Sequence, residues 1–149
     1  MIQRKQTVYL LLSLVALVLC TLLPVGHFEA EGMGVTKTFY NLSIMQEGTS
    51  LLNIVMTVLL ALAGTITVWA IFLYKNRKLQ AGVCMIITLL LLAWYGVYAV
   101  IGFVSAPAKT IFHPDFACCL PFVSIVLTLL ARAGIRADER LVRAADRIR

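Results

Sequence analysis

The 149-residue chain is 61% hydrophobic and only 13% charged, and its mean hydropathy of +0.93 implies more apolar surface than so small a core can hide from water. A water-soluble globule is therefore excluded, and much of the surface is expected to face lipid. Thirteen Lys and Arg against seven Asp and Glu leave a net charge of +6, and because the basic residues border apolar runs, anionic lipid rather than nucleic acid is the expected counterion.

Crossing about 30 Å of hydrocarbon takes about 20 helical residues. Four stretches meet that length, at about 7–24, 49–74, 80–104 and 114–135. The first follows Arg4 and Lys5, as a secretory signal would, but no small-x-small cleavage site comes after Pro24 and Leu19 is bulky for a lipoprotein signal before Cys20. It is expected to stay as an uncleaved span. The loop at 26–48 is expected to form a small hairpin, because Thr36, Thr38, Tyr40, Leu42 and Ile44 alternate with Val35, Lys37, Phe39, Asn41 and Ser43, while Gly32 and Gly34 allow a reversal after Phe28. Asn41-Leu42-Ser43 fits the glycosylation triplet, a three-residue match that arises easily by chance. In the fourth span His113 is the expected N-cap, with Pro114 at the first helical position and Asp115 in the first turn. Pro121 is expected to bend that helix.

Short cytoplasmic segments are rich in Lys and Arg. Placing the N-terminus inside puts Arg4, Lys5, Lys75, Arg77, Lys78 and six tail arginines in the cytoplasm, against Lys37 and Lys109 outside. Both termini are therefore expected to be cytoplasmic. The fold class is all-α: a four-transmembrane-helix bundle with an extracytoplasmic hairpin and a cytoplasmic amphipathic C-terminal helix.

Catalysis or ion transport at depth usually requires ionisable side chains there. Spans two and three have none in their apolar stretches, so the expected function is non-enzymatic. Asn53, Thr57, Thr65, Thr67, Thr88, Ser124 and Thr128 are expected to bond between helices, and Gly64, Gly82, Gly96, Gly102, Ala61 and Ala93 to allow helices to approach closely, within one chain or between copies. Trp94, Tyr95 and Tyr98 begin near the middle of span three, where polar ring atoms need partners. They are expected to lie between helices, with a groove for a quinone, haem, lipid or another helix as the alternative. His27, His113, Asp115, Cys118 and Cys119 gather near the outer end. Their spacing matches no established metal or haem site, so structural use is expected and no metal or other cofactor is assigned. The four cysteines show no C-x-x-C spacing, and a disulfide from Cys20 to Cys118 or Cys119 is the minor alternative to free thiols.

The tail at 132–149 is more than basic. At about 100° per residue, Arg132, Arg136, Arg140, Arg143 and Arg147 share one stripe, with Glu139 and Asp146 beside it and Ala137, Leu141, Ala145 and Ile148 roughly opposite. This predicts an amphipathic helix continuing span four or turning at Gly134. It would lie on anionic lipid or dock an acidic partner. With Arg77 and Lys78 of the inner loop, the stripe is expected to form one basic platform that binds lipid or a larger membrane complex.

The opening run 1–12, the inner loop 74–80 (Tyr-Lys-Asn-Arg-Lys-Leu-Gln) and the ending 135–149 together resemble the domain of unknown function 4293 family, and the likeness covers the whole chain in order. The resemblance implies a small four-span protein of the bacterial inner membrane, associated with the Bacteroidota. It implies no activity.

Overall fold

The structure, a computed structural model, describes residues 3–30, 36–42, 51–104 and 110–146. Four helices dominate: α1 (Gln3–Leu22), α2 (Leu51–Phe72), α3 (Arg77–Ala99) and α4 (Leu120–Asp146). Three short strands, β1 (Gly26–Ala30), β2 (Thr36–Phe39) and β3 (Thr110–Pro114), form one antiparallel sheet in the order β2-β1-β3. Each helix lies in a segment long and apolar enough to cross a membrane, at Lys5–Leu22, Leu51–Phe72, Arg77–Phe103 and Phe116–Val142. Along these segments Val8, Leu22, Val58, Leu89 and Leu130 are among the many exposed large apolar side chains, as expected of a surface solvated by hydrocarbon.

The helices form a ring in which each packs against its chain neighbours and α1 closes against α4, the most extensive of the four contacts. A single 3₁₀ turn at Leu73–Lys75 joins α2 to α3. Pro24, just past the end of α1, cannot continue that helix. Gln6 and Ser13 of α1 meet Asp138 and Ser124 of α4, so the two run antiparallel. Both the start of α1 and the end of α4 therefore lie at one end of the bundle, with the α2–α3 turn, and the sheet lies at the other.

The sheet is amphipathic in the way a period of two requires. Phe28 opposes Phe112 and Gly26 opposes Phe39, so the three phenylalanines share the face turned to the helices. Phe28 and Phe39 are buried in the core, and the Phe28 and Phe112 ring centroids are 4.9 Å apart. The opposite face carries His27, Glu29, His113 and Asp115.

Three expectations about the last span need correction. His113 and Pro114 do not start a helix but belong to β3, where Pro114 is tolerated because β3 is an edge strand. Asp115 is extended, with φ −91° and ψ 165°, and leads into a 3₁₀ turn at Phe116–Cys119 without capping it through its side chain. Pro121 falls in the first turn of α4, where the missing N–H has no intrahelical partner to lose. The helix then continues without interruption through Gly134 into the tail. The proposed reversal at Gly32 and Gly34 lies outside the described residues.

Of the small residues expected to let helices approach within one chain or between copies, three do not do so within this chain. A Cβ added at Gly64, Gly82 or Gly96 would meet nothing within 4 Å, so these positions do not bring helices of this chain together. At Gly102 it would come within 2.7 Å of the Phe112 ring, and at Gly26 within 2.8 Å of the same ring. Phe112 is held between two glycines, one in the π-helical turn at Val100–Val104 that follows α3 and one on β1.

Candidate functional site

At the sheet end, the polar atoms of the aromatic trio are all engaged within the chain. Trp94 Nε1 donates to Asn41 Oδ1 at 3.0 Å, Tyr95 OH to the Cys118 carbonyl at 2.6 Å, and Tyr98 OH to the Val25 carbonyl at 2.8 Å. Trp94 is fully buried and stacks on Tyr98 with centroids 5.2 Å apart. These side chains tie α3 to the segments that follow α1 and precede α4, instead of lining an open groove as the alternative reading of them required.

Asn41, placed by the sequence in the period-two pattern of the hairpin and in a glycosylation triplet, is the centre of this arrangement. It is fully buried. Its Nδ2 donates to the Cys20 carbonyl at 2.6 Å, its Oδ1 accepts from Trp94, and its backbone carbonyl accepts from Thr57 Oγ1 at 2.9 Å. One residue therefore links the end of α1, the first turns of α2 and the later part of α3. The period-two pattern put Asn41 in the same set as the buried Phe39 but did not show what its amide bonds. The available clue was that Asn41 precedes an apolar span and follows a strand, where a polar side chain must find partners.

On the outward face of the sheet, His27 and His113 sit directly across from each other in register. Their rings stack at 5.4 Å with 20° between planes. His27 Nδ1 is 3.3 Å from Asp115 Oδ2, and Glu29 stands between the two Nε2 atoms, 3.7 Å from His27 and 3.6 Å from His113. The sequence grouped His27, His113 and Asp115 correctly, but missed Glu29, which β pairing alone brings in. Cys118 and Cys119 stand apart from this cluster: Cys118 packs against the core and Cys119 is exposed. All four cysteines are free, and among the described residues no group of three or more His, Cys, Asp or Glu is arranged to hold a metal ion.

At the opposite end, Asp138 of α4 is turned inward. It is buried and accepts a hydrogen bond from Gln6 Nε2 at 2.6 Å. Gly134 makes room for this contact, since a Cβ there would lie 3.2 Å from Gln6 Cγ. The inward turn leaves Arg136 and Arg140 exposed on the outside of α4, with Arg132 half-buried one turn above them. Arg77 and Lys78 open α3 at this same end, Lys78 exposed and Arg77 partly so. Arg143 lies on α4, and Arg147 is outside the described residues. A cleft of about 620 Å³ opens between α1 and α2, walled by Val8, Leu11, Leu12, Ile71, Phe72 and Tyr74.

A family model described as Domain of unknown function (DUF4293) matches residues 2–148. The chain belongs to this family. No curated protein matches it. In this DUF4293 member the three stretches that carry the sequence resemblance, within their described parts, meet at the basic end: the start of α1, the α2–α3 turn and the last turns of α4.

Proposed function

We propose that this multi-pass protein is a non-enzymatic accessory subunit or scaffold of the bacterial inner membrane, using its basic end on the cytoplasmic side to contact anionic lipids and an acidic region of a larger complex. The observation that carries the reading is the pairing of Asp138 with Gln6. It takes a carboxylate off the surface of α4 while Arg136 and Arg140 remain exposed there. Lys78 and Arg77 at the neighbouring corner widen the positive field. Each basic group near an anionic leaflet adds about 1 kcal/mol of attraction, enough for four or five of them to orient a partner or gather lipid.

The test is crosslinking in native membranes, followed by gentle purification and mass spectrometry. The normal chain is compared with a variant in which Arg136, Arg140, Arg143 and Arg147 are all replaced by Gln. A specific protein captured by the normal chain and lost from the variant is the expected result. Identical captures from both would refute the docking role of this surface.

A further inference from the structure

Arg132, Arg136 and Arg140 are spaced four residues apart on α4 and line a cleft of about 310 Å³ together with Leu129, Ala133 and Ala137. Among the described residues no carboxylate lines this cleft. The two alanines keep its floor low, so the guanidinium groups rise around a hollow. Arg132 Nε is shielded from solvent and meets no hydrogen-bond acceptor among the described residues, a costly condition for a strong donor in a membrane protein.

We infer that this cleft seats the headgroup phosphate of one anionic phospholipid. The inference rests on the proposed role of the basic end and assigns a single site within it. Guanidinium groups recognise phosphate through paired, charge-assisted hydrogen bonds, and the exposed Arg136 and Arg140 present two such groups at the cleft.

The same face of α4 argues for a lipid over a free phosphate ion. At about 100° per residue, Phe122, Val126, Leu129, Ala133, Arg136 and Arg140 fall within a narrow stripe, and all six are exposed. At 1.5 Å per residue, the apolar part from Phe122 to Ala133 is about 16 Å long, roughly the hydrocarbon depth of one leaflet, and the arginines follow at the depth of the headgroups. Apolar above and basic below, the stripe has the shape and polarity of a single phospholipid.

The experiment is native mass spectrometry of the detergent-purified full chain, with dioleoyl phosphatidylglycerol or dioleoyl phosphatidylcholine added. Two variants with equal charge loss are compared, R136Q/R140Q in the cleft and R77Q/K78Q outside it. Circular dichroism checks that both keep the normal helix content, and R136K/R140K, which keeps the charge, stands in for the first if that variant does not fold. The expected result is one phosphatidylglycerol retained per chain in preference to phosphatidylcholine. Retention should fall about thirtyfold in R136Q/R140Q, by a smaller factor in R136K/R140K because the forked donors are lost, and not at all in R77Q/K78Q. Equal loss in the two charge-matched variants would overturn the cleft while leaving a diffuse basic surface in place. Loss in neither would remove both the cleft and the lipid half of the proposed function. Displacement of the lipid by inorganic phosphate at equal concentration would make this a free-anion site and also overturn the proposal.

Discussion

Asn41 shows how much of the bundle can depend on one side chain. Its amide satisfies the Cys20 carbonyl and the Trp94 indole at once, and both would be left buried without it. Asn41→Ala is expected to lower unfolding stability in detergent by about 1–3 kcal/mol. Loss of the indole hydrogen bond should also shift Trp94 emission, and an unchanged melting midpoint would show that water or neighbouring groups replace the amide. Glycine positions give a second contrast. Gly102→Ala drives a methyl into Phe112, which Gly26 blocks from the other side, and is expected to cost about 1–3 kcal/mol. Gly64→Ala adds a methyl to open space and should stay within about 0.5 kcal/mol of the normal chain or stabilise it, since alanine favours helix. Thermal melts of the two variants side by side check both statements.

The elements show which signals a sequence carries. Four spans were legible because hydropathy over about 20 residues needs no knowledge of the fold. The helical tail followed from the 3.6-residue period of its arginines, which left open the turn at Gly134 that the unbroken α4 does not make. Strand β3 was not legible, because its five residues acquire meaning only from β1, more than eighty positions away, and His113-Pro114-Asp115 equally fits the start of a helix. Glu29 was missed for the same reason. The polar residues divided by a local rule that composition does not reveal. Ser13 meets Ser124 at 2.6 Å and Thr128 at 3.3 Å across α1 and α4, whereas Thr67 and Thr88 bond carbonyls of their own helices, Ala63 and Cys84, as threonine in a helix readily does. Ser13→Ala should therefore cost about 0.6 kcal/mol, the usual size of such a bond between membrane helices, and Thr88→Val less. Equal effects in a detergent unfolding titration would mean that the α1–α4 seam owes nothing to its hydroxyls.

For the whole molecule, the distribution of basic residues makes an orientation testable. A cysteine introduced at Lys37, in a background with the four native cysteines replaced by Ala, should react with a membrane-impermeant thiol reagent added outside intact cells, and one at Lys78 should react only after permeabilisation. The opposite pattern would place the basic end outside and remove the proposed contact with cytoplasmic partners. Beyond orientation, the sheet has a mechanical consequence. Strand β1 comes from the connection after α1 and β3 from the connection before α4, and the β hydrogen bonds join them with β2 into one plate. The four helices are thus riveted together at that rim, while at the far rim α1 and α2 are already parted by the cleft beside Phe72 and Tyr74. At that far rim α1 is still held to α4 through Gln6 and Asp138 and α2 to α3 through the Leu73–Lys75 turn, so the body bends like tweezers whose arms are these two pairs, and any widening begins along the α1–α2 seam.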